Sequence, residues 1–348
     1  MKQWGHINSV TGPVSLDRLK VVLPHEHLFI DLRNQFTEFV DPQKRAISKQ
    51  DVDIRNLGLL RRNPYAVRDN LLIDDFDMVV SEVLHFKRLG GSAIVECTSV
   101  GIHRDVAKLR DLARRSGVTV IAGCGYYTHD THPPEMDHWS VEDIAEQIIR
   151  DLTQGIDETG IRAGVIGELG TSASIHPNER KCLLAAAQAF GQVRVPIYVH
   201  TYPWAQTGLE AADVLLKGGV DPGKIVICHL DVQPDLGYVR SVLERGVWVE
   251  FDNFGKEFYI PPEDRGFAGG VFMRDIERVR LLQQIVAWGY KDQVLLTNDI
   301  CLKSMLRAYG GWGYGHILEN IVPMMMHEGL THEIIDLLIR SNPRRLFA

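Results

Sequence analysis

The chain repeats one pattern, in which a short run of apolar residues is followed by a longer amphipathic segment. The runs are rich in valine and isoleucine and mostly continuous, as expected of parallel strands that are buried on both faces. They predict eight strands, which cover residues 19–27, 92–98, 118–125, 162–170, 195–201, 224–230, 246–252 and 293–299.

The segments between these runs have the spacing of amphipathic helices. Strands that alternate with helices form a parallel sheet with right-handed crossovers, and eight is the number of strands that closes a barrel. We therefore predict an α/β fold, the (β/α)8 TIM barrel. An open doubly wound sheet is the alternative, and it is less favoured because no glycine-rich phosphate-binding turn follows the first strand.

Two irregular segments follow predicted strands. Residues 28–73 come after the first strand, are rich in charge and exceed the usual length of a βα loop. Residues 253–273 come after the seventh strand and contain two prolines and several glycines. On a barrel both segments lie over the carboxyl ends of the strands, so both are predicted to be rim or lid loops. No linker or internal repeat divides the chain, and we expect a single domain over residues 1–348.

Composition narrows the class of protein. The formal net charge is -7 and no basic stripe is visible, which argues against a nucleic-acid partner. No apolar stretch is long enough for a membrane span, and the first residues lack the apolar core of a secretory signal. The five cysteines are odd in number and mostly lie beside apolar runs, as expected of reduced thiols. These features predict a cytoplasmic protein that acts on a small molecule and does not bind a membrane.

Ionisable residues stand at the ends of several predicted strands. Each one alone has an ordinary structural explanation: a buried histidine, a core ion pair or a helix cap. Together they would meet at the carboxyl-terminal face of a barrel, where active sites are built. The six are His25 and His27 at the first strand, Glu168 at the fourth, His200 at the fifth, His229 at the sixth and Asp299 at the eighth.

Four imidazoles with carboxylates suit two divalent metal ions, most plausibly Zn²⁺, with Mn²⁺, Co²⁺ or Ni²⁺ as alternatives. We predict that His25, His27 and Asp299 hold one metal, that His200 and His229 hold the other, and that Glu168 bridges them. A hydroxide shared by the metals would attack the substrate, and Asp299 would carry its proton to the leaving group. Glu26 points to the opposite face of the strand and is predicted to be structural.

The motifs LPHEHL, GVIGELG, VPIYVHT, ICHLD and LLTNDI resemble the phosphotriesterase-like branch of the amidohydrolase superfamily. The similarity to phosphotriesterase-related proteins extends to NLGLLRRNPYAVRDN, GIHRD and YGGWGYGHIL, and so covers nearly the whole chain. The resemblance assigns His25, His27 and Asp299 to the more buried metal, His200 and His229 to the more exposed one, and Glu168 to the bridge. Well-known phosphotriesterases have a carboxylated lysine at the bridging position, where this chain has Glu168. This difference argues against phosphotriesterase activity as the native function.

The resemblance implies hydrolysis but leaves the substrate open among lactones, carboxylic esters, amides and organophosphates; it also implies a possible homodimer. From their positions after the third, seventh and eighth strands, we predict that Tyr127, Lys256 and Trp312 contact the substrate, with Lys256 available for an anionic tail. The first hypothesis is a hydrolase of a small lactone, ester or N-acyl amide. A phosphoester hydrolase with the same site is the second, and a non-catalytic small-molecule-binding barrel is the third.

Overall fold

The computed structural model describes residues 5–264, 266 and 269–348. Each predicted run contains a strand, and these strands are numbered β1 to β8 here. Their bounds are β1 Val21–Glu26, β2 Gly91–Glu96, β3 Thr119–Cys124, β4 Val165–Thr171, β5 Ile197–Thr201, β6 Ile225–Ile227, β7 Trp248–Phe251 and β8 Val294–Leu296.

The eight strands form one sheet in chain order. Every strand pairs in parallel with the next one along the chain. The first and last strands are joined where Thr297 Oγ1, just after β8, donates a hydrogen bond to the carbonyl oxygen of His25 in β1 at 2.8 Å. The sheet is thus nearly closed, and the predicted (β/α)8 barrel is confirmed.

Helices follow the strands and cover the outside of the barrel. Their starts and ends have local causes: Ser140 and Asp143 form a capping box at one helix, and Gly117 ends another in a left-handed conformation. The helices between successive strands are Phe76–Arg88, Val106–Ser116, Val141–Thr153, Pro177–Phe190, Thr207–Lys217, Leu236–Leu243 and Asp275–Ala287; Val322–His327, His332–Asp336 and Asn342–Phe347 follow β8.

Apolar side chains fill both faces of the sheet. Inside the barrel, Val22, Val95, Ile121 and Tyr198 belong to one buried cluster. A second, larger cluster lies between the strands and the helices. Because both faces are buried, the strands carry no polar alternation along most of their length. The packed interior therefore leaves only the carboxyl-terminal face for a site.

Both long segments of the rim contain strands or helices among their described residues. The segment 28–73 pairs Ile30–Asp31 with Leu72–Ile73 and contains the helices Pro42–Ser48 and Leu57–Leu60. Within it, a small core forms from side chains that do not join the barrel core: Val52, Leu60 and Val67.

The segment 253–273 forms a short hairpin of Tyr259–Ile260 with Gly270–Val271, while residues 265, 267 and 268 of this predicted loop lie outside the described residues. An antiparallel hairpin, His6–Ser9 with Gly12–Ser15, precedes β1. Across the part of the chain that the structure describes, no helix has the length and apolar character needed to cross a membrane.

Candidate metal centre

The six predicted ligands converge at the carboxyl-terminal ends of the strands. All six side chains are buried, with at most 6% of any residue exposed. Two triads have ligand atoms that lie within 4.8 Å of one another: His25 with His27 and Asp299, and Glu168 with His200 and His229. The structure thus separates the residues predicted for one metal from those predicted for the other, and their roles as ligands stay a prediction.

Two of the ligands lie beyond their strands. The prediction extended the sixth and eighth strands to residues 230 and 299, but β6 ends at Ile227 and β8 at Leu296. His229 and Asp299 have left-handed backbone conformations, with φ of 64° and 48°. Such a conformation cannot continue a strand, and for residues other than glycine it requires support from the surroundings.

Glu26 supplies that support for the Asp299 turn. Its carboxylate accepts hydrogen bonds from Thr297 Oγ1 and from the backbone N–H of Asn298 and of Ile300, at 2.6, 2.9 and 2.8 Å. These bonds satisfy the backbone on both sides of Asp299. These contacts agree with the predicted structural role of Glu26, whose carboxylate holds the backbone turn that carries Asp299.

Glu168 belongs to the second triad and also contacts the first. Its Oε1 lies 3.3 Å from His27 Nε2, and its Oε2 lies 3.3 Å from His200 Nδ1 and 3.5 Å from His229 Nε2. In the first triad, His27 Nε2 lies 3.1 Å from Asp299 Oδ1. In the second, His229 Nε2 lies 2.8 Å from His200 Nδ1.

Buried polar atoms at the centre fit a bound cation. His25 Nε2 and Glu168 Oε2 are inaccessible to solvent and, among the described residues, have no hydrogen-bond partner. A buried unsatisfied polar atom is costly, and a cation between imidazole nitrogens and carboxylate oxygens removes that cost. Nitrogen and oxygen donors of this kind suit Zn²⁺ and its neighbours in the first transition series.

The outward-facing ring nitrogens of three candidate ligands are held by partners from other strands or from the loops that follow them. His25 Nδ1 lies 2.9 Å from Glu250 Oε2, His27 Nδ1 lies 2.9 Å from Thr98 Oγ1, and His229 Nδ1 lies 3.0 Å from Asp252 Oδ1. Partners of this kind fix the tautomer and the ring orientation of a metal-binding histidine. Each ring therefore turns its Nε2 toward the centre.

The carboxylates make the centre attractive to cations. Burial alone would raise the pKa of Glu168, but the charge of His25 and the nearby imidazoles of His200 and His229 outweigh it and hold the pKa well below its usual range. Burial would lower the pKa of His229, yet Asp252 raises it to about 10. A metal ion takes the place of these protons when it binds, since ligand nitrogens must be unprotonated.

Lys256 places a cation beside Asp299. Its Nζ contacts Asp299 Oδ2, and although burial alone lowers the pKa of this lysine, the charge of Asp299 outweighs burial and raises it. The backbone carbonyl of Lys256 accepts a hydrogen bond from Arg278 Nη2 at 2.9 Å. Arg278 is fully buried and also pairs with Asp231 and Asp275, each at 2.9 Å. This network fixes the loop that carries Lys256.

A cavity of about 60 Å³ opens onto the centre. Tyr127 and Lys256 line it, and the Tyr127 hydroxyl lies 3.3 Å from His200 Nδ1. Trp312 does not line it. That indole is 54% exposed, stacks on His316 and faces a neighbouring cavity of about 450 Å³. Contact of Trp312 with the substrate stays a prediction, since its indole lines the cavity beside the one at the candidate centre.

Several side chains at the candidate centre and around its cavity were not singled out from the sequence. Glu250 and Asp252 lie in or beside β7 within an apolar run, the same signal that identified Glu168, and it could have found them. Gln35 and Trp204 line the cavity from loops whose conformation no local pattern specifies. Arg278 occupies a helix position that looks solvent-exposed in the sequence.

Comparison with known proteins assigns a family. The model of the phosphotriesterase family matches residues 5–347. The chain is similar to the N-acetyltaurine hydrolase of Rattus norvegicus, with 35% identity over 346 residues that cover 98% of this chain and 97% of the relative. It is likewise similar to the N-acetyltaurine hydrolase of Xenopus tropicalis, with 32% identity over 344 residues and the same coverage.

Two solved structures share the fold. A resiniferatoxin-binding protein from Rhodobacter sphaeroides superposes with a TM-score of 0.94 and 33% identity, covering 99% of this chain and 95% of that one. The phosphotriesterase homology protein from Escherichia coli, complexed with phosphate in its active site, has a TM-score of 0.79 and 27% identity, covering 95% and 100%.

Proposed function

Because the chain belongs to the phosphotriesterase family, in which metal-dependent hydrolases occur, we propose that it cleaves the amide bond of a small N-acyl compound with a short anionic tail. The convergence of six candidate ligands at one small cavity, which five of them line together with the buried Lys256, carries this proposal. The similarity to N-acetyltaurine hydrolases supports an amide, since N-acetyltaurine is an acetyl amide with a sulfonate tail.

The proposed centre holds two divalent ions, with Zn²⁺ as the first candidate. His25, His27 and Asp299 would hold one, His200 and His229 the other, and Glu168, which contacts both triads, would bridge them. Bound metals of this kind lower the pKa of water and polarise the bond under attack.

Asp299 is placed to move the proton. We assign it the role of accepting a proton from the attacking water and delivering it to the leaving nitrogen, which must be protonated to depart as an amine. The contact with Lys256 keeps the carboxylate ionised, and the ionised form is the one that can accept a proton. Tyr127 would contact the substrate beside His200.

Lys256, which lines the cavity, is the proposed partner of the anionic tail. Among the described residues that line a neighbouring outer cavity of about 590 Å³, Glu38, Asp41 and other carboxylates outnumber Lys44, so this lining is acidic. A long anionic tail would enter that negative potential, so the tail is proposed to be short.

A phosphoester hydrolase is the second candidate, since the similar protein from Escherichia coli has phosphate in its active site. The acidic outer cavity makes charged phosphoesters less favourable than neutral phosphotriesters. A small lactone or ester remains within the proposed carbonyl chemistry. The similarity to a resiniferatoxin-binding protein is compatible with a binding barrel, but the complete set of candidate ligands favours catalysis.

A hydrolysis screen tests the proposal. Protein loaded with Zn²⁺ or Mn²⁺ is assayed against N-acetyltaurine, a matched acetyl ester, a lactone and a phosphotriester, with a chelated control. We expect chelator-sensitive hydrolysis of the amide. Turnover of the phosphotriester alone would replace this proposal with the second candidate, and no turnover of any substrate would contradict both.

All five cysteines are free, and four of them are buried. Free thiols persist in reducing compartments, which supports the proposal that the protein works in the cytoplasm.

A further inference from the structure

One histidine of the candidate centre has an unusual partner on its outer ring nitrogen. His25 and His229 each turn Nδ1 toward a buried carboxyl group. His27 differs, because its Nδ1 lies 2.9 Å from the hydroxyl oxygen of Thr98. A hydroxyl can donate or accept a hydrogen bond, so the direction of this bond decides which nitrogen of His27 carries the proton.

The surroundings of Thr98 settle the direction of the bond. Its hydroxyl donates to Glu96 Oε1, and it also lies 3.2 Å from the carbonyl oxygen of Phe29. Glu96 Oε1 is an acceptor, since it also receives the backbone N–H of Leu28 at 3.2 Å. If the single hydroxyl hydrogen of Thr98 pointed to His27 instead, two bare oxygen acceptors would be left in contact. His27 Nδ1 is therefore the donor to Thr98.

This direction leaves His27 in the form that a metal requires. A neutral imidazole with its proton on Nδ1 has a free electron pair on Nε2. His27 Nε2 is the atom that lies 3.3 Å from Glu168 Oε1 and 3.1 Å from Asp299 Oδ1. The side chains of the chain of hydrogen bonds, His27, Thr98 and Glu96, are at most 2% exposed, so bulk water cannot replace a lost bond.

We propose that Thr98 is a positioning residue for the first triad. Its hydroxyl, backed by Glu96, fixes the tautomer and the ring orientation of His27 and thereby controls the binding of a metal at this triad. The inference rests on the metal centre of the proposed function, and it adds that the two metal positions depend on different partners. Partners of metal-binding histidines contribute about 10- to 100-fold to metal affinity.

The test measures metal binding rather than turnover. Thr98→Val keeps the shape of threonine without the hydroxyl, so we expect the affinity for one Zn²⁺ to fall by about 10- to 100-fold and the affinity for the other to stay. Zinc per chain is measured by elemental analysis over a series of chelator-buffered free Zn²⁺ concentrations. Thr98→Ser keeps the hydroxyl and should bind both ions as wild type does. Thr119→Val, half-buried at the amino-terminal end of β3, is the matched control.

Two further backgrounds identify the ion that is affected. In His27→Ala the ring that Thr98 holds is gone, so the addition of Thr98→Val should lower zinc affinity no further. In His200→Ala, which lacks a candidate ligand of the second triad, the addition of Thr98→Val should weaken the ion that remains. An equal effect of Thr98→Val in both backgrounds would show that Thr98 does not act through His27, and would overturn the proposal.

The outcomes separate this inference from the proposed function. If wild type holds two ions and Thr98→Val holds both with unchanged affinity, the proposed centre stands and the role of Thr98 is overturned. If wild type holds fewer than two ions at saturating Zn²⁺, the proposed centre fails and this inference fails with it. Equal thermal unfolding of the two metal-free proteins shows that the loss of metal does not come from misfolding. Should Thr98→Val fail to fold, Thr98→Ala removes the same hydroxyl and takes its place.

Discussion

Glu26 accepts a hydrogen bond from the backbone N–H of Ile300 at 2.8 Å, which ties the strand that carries His25 to the turn that carries Asp299. Glu26 is fully buried and faces away from the candidate metals. Its side chain thus couples the geometry of two ligand-bearing segments without touching a metal.

Glu26→Gln is expected to weaken metal binding. The substituted amide has one acceptor atom instead of two, so a backbone N–H beside Asp299 loses its partner, at a cost of about 1–3 kcal/mol. We expect less metal per protein after dialysis, measured by elemental analysis, with the exposed Glu146→Gln as control. Full retention of both metals in Glu26→Gln would show that the Asp299 turn does not depend on Glu26.

Asp299→Asn tests proton transfer. An amide has nearly the same shape but cannot accept and deliver a proton, so we expect kcat to fall by about 10²- to 10⁴-fold. Far-UV circular dichroism should be unchanged. Turnover close to wild type would remove Asp299 from the proton-transfer role.

Glu168→Gln tests the bridge. The loss of one carboxylate oxygen should loosen one or both metals, seen as a lower metal-to-protein ratio and as recovery of activity only with added Zn²⁺ or Mn²⁺. Two ions that stay bound through dialysis would contradict the bridging role.

Lys256→Met tests the anionic tail. We expect KM to rise by about 10- to 100-fold for a sulfonate-bearing amide, because a hydrogen bond to a charged group contributes about 1.5–3 kcal/mol. An amide with a neutral tail of equal length serves as the reference, since effects that reach the reaction through Asp299 alter both substrates. Equal changes in KM for the two amides would show that Lys256 does not bind the tail.

Arg278→Met tests the network beneath the Lys256 loop. Removal of one partner from a buried ion-pair network is expected to lower the free energy of unfolding by about 3–5 kcal/mol, measured by chemical denaturation. Arg280→Met, on the exposed face of the same helix, is the control and should change it little. Similar values for the two variants would show that the Arg278 network does not stabilise the fold.

The barrel and the candidate ligands could be predicted because each depends on a local signal. Apolar runs mark strands buried on both faces, and an ionisable residue that ends such a run has few structural uses. Glu250 carries the same signal but was not recognised, since a buried carboxylate alone does not reveal that its partner is His25, 225 positions earlier in the sequence.

The rim was predicted less well because its contacts are tertiary. Trp312 follows β8, which leads into the turn of Asp299. Left-handed conformations at Gly310 and Gly313, with φ of 81° and 66°, turn the chain toward the neighbouring cavity. Gln35 lies in a loop with no periodic pattern, and only the folded chain brings it to the lining of two cavities. Left-handed conformations at His229 and Asp299 were likewise invisible in apolar runs that continue through them.

The small separate core of the segment 28–73 has a consequence for how this protein can change. Val52, Leu60 and Val67 stabilise the segment from within, while its residues Gln35 and Tyr65 line the cavity. Apart from its ends and the bonds of Asp69 and Asn70 to the loop after β8, this segment packs on itself, so we expect changes inside it to leave the strands that carry the candidate ligands in place. Evolution and protein engineering can thus alter substrate preference here while the hydrolytic machinery is inherited unchanged.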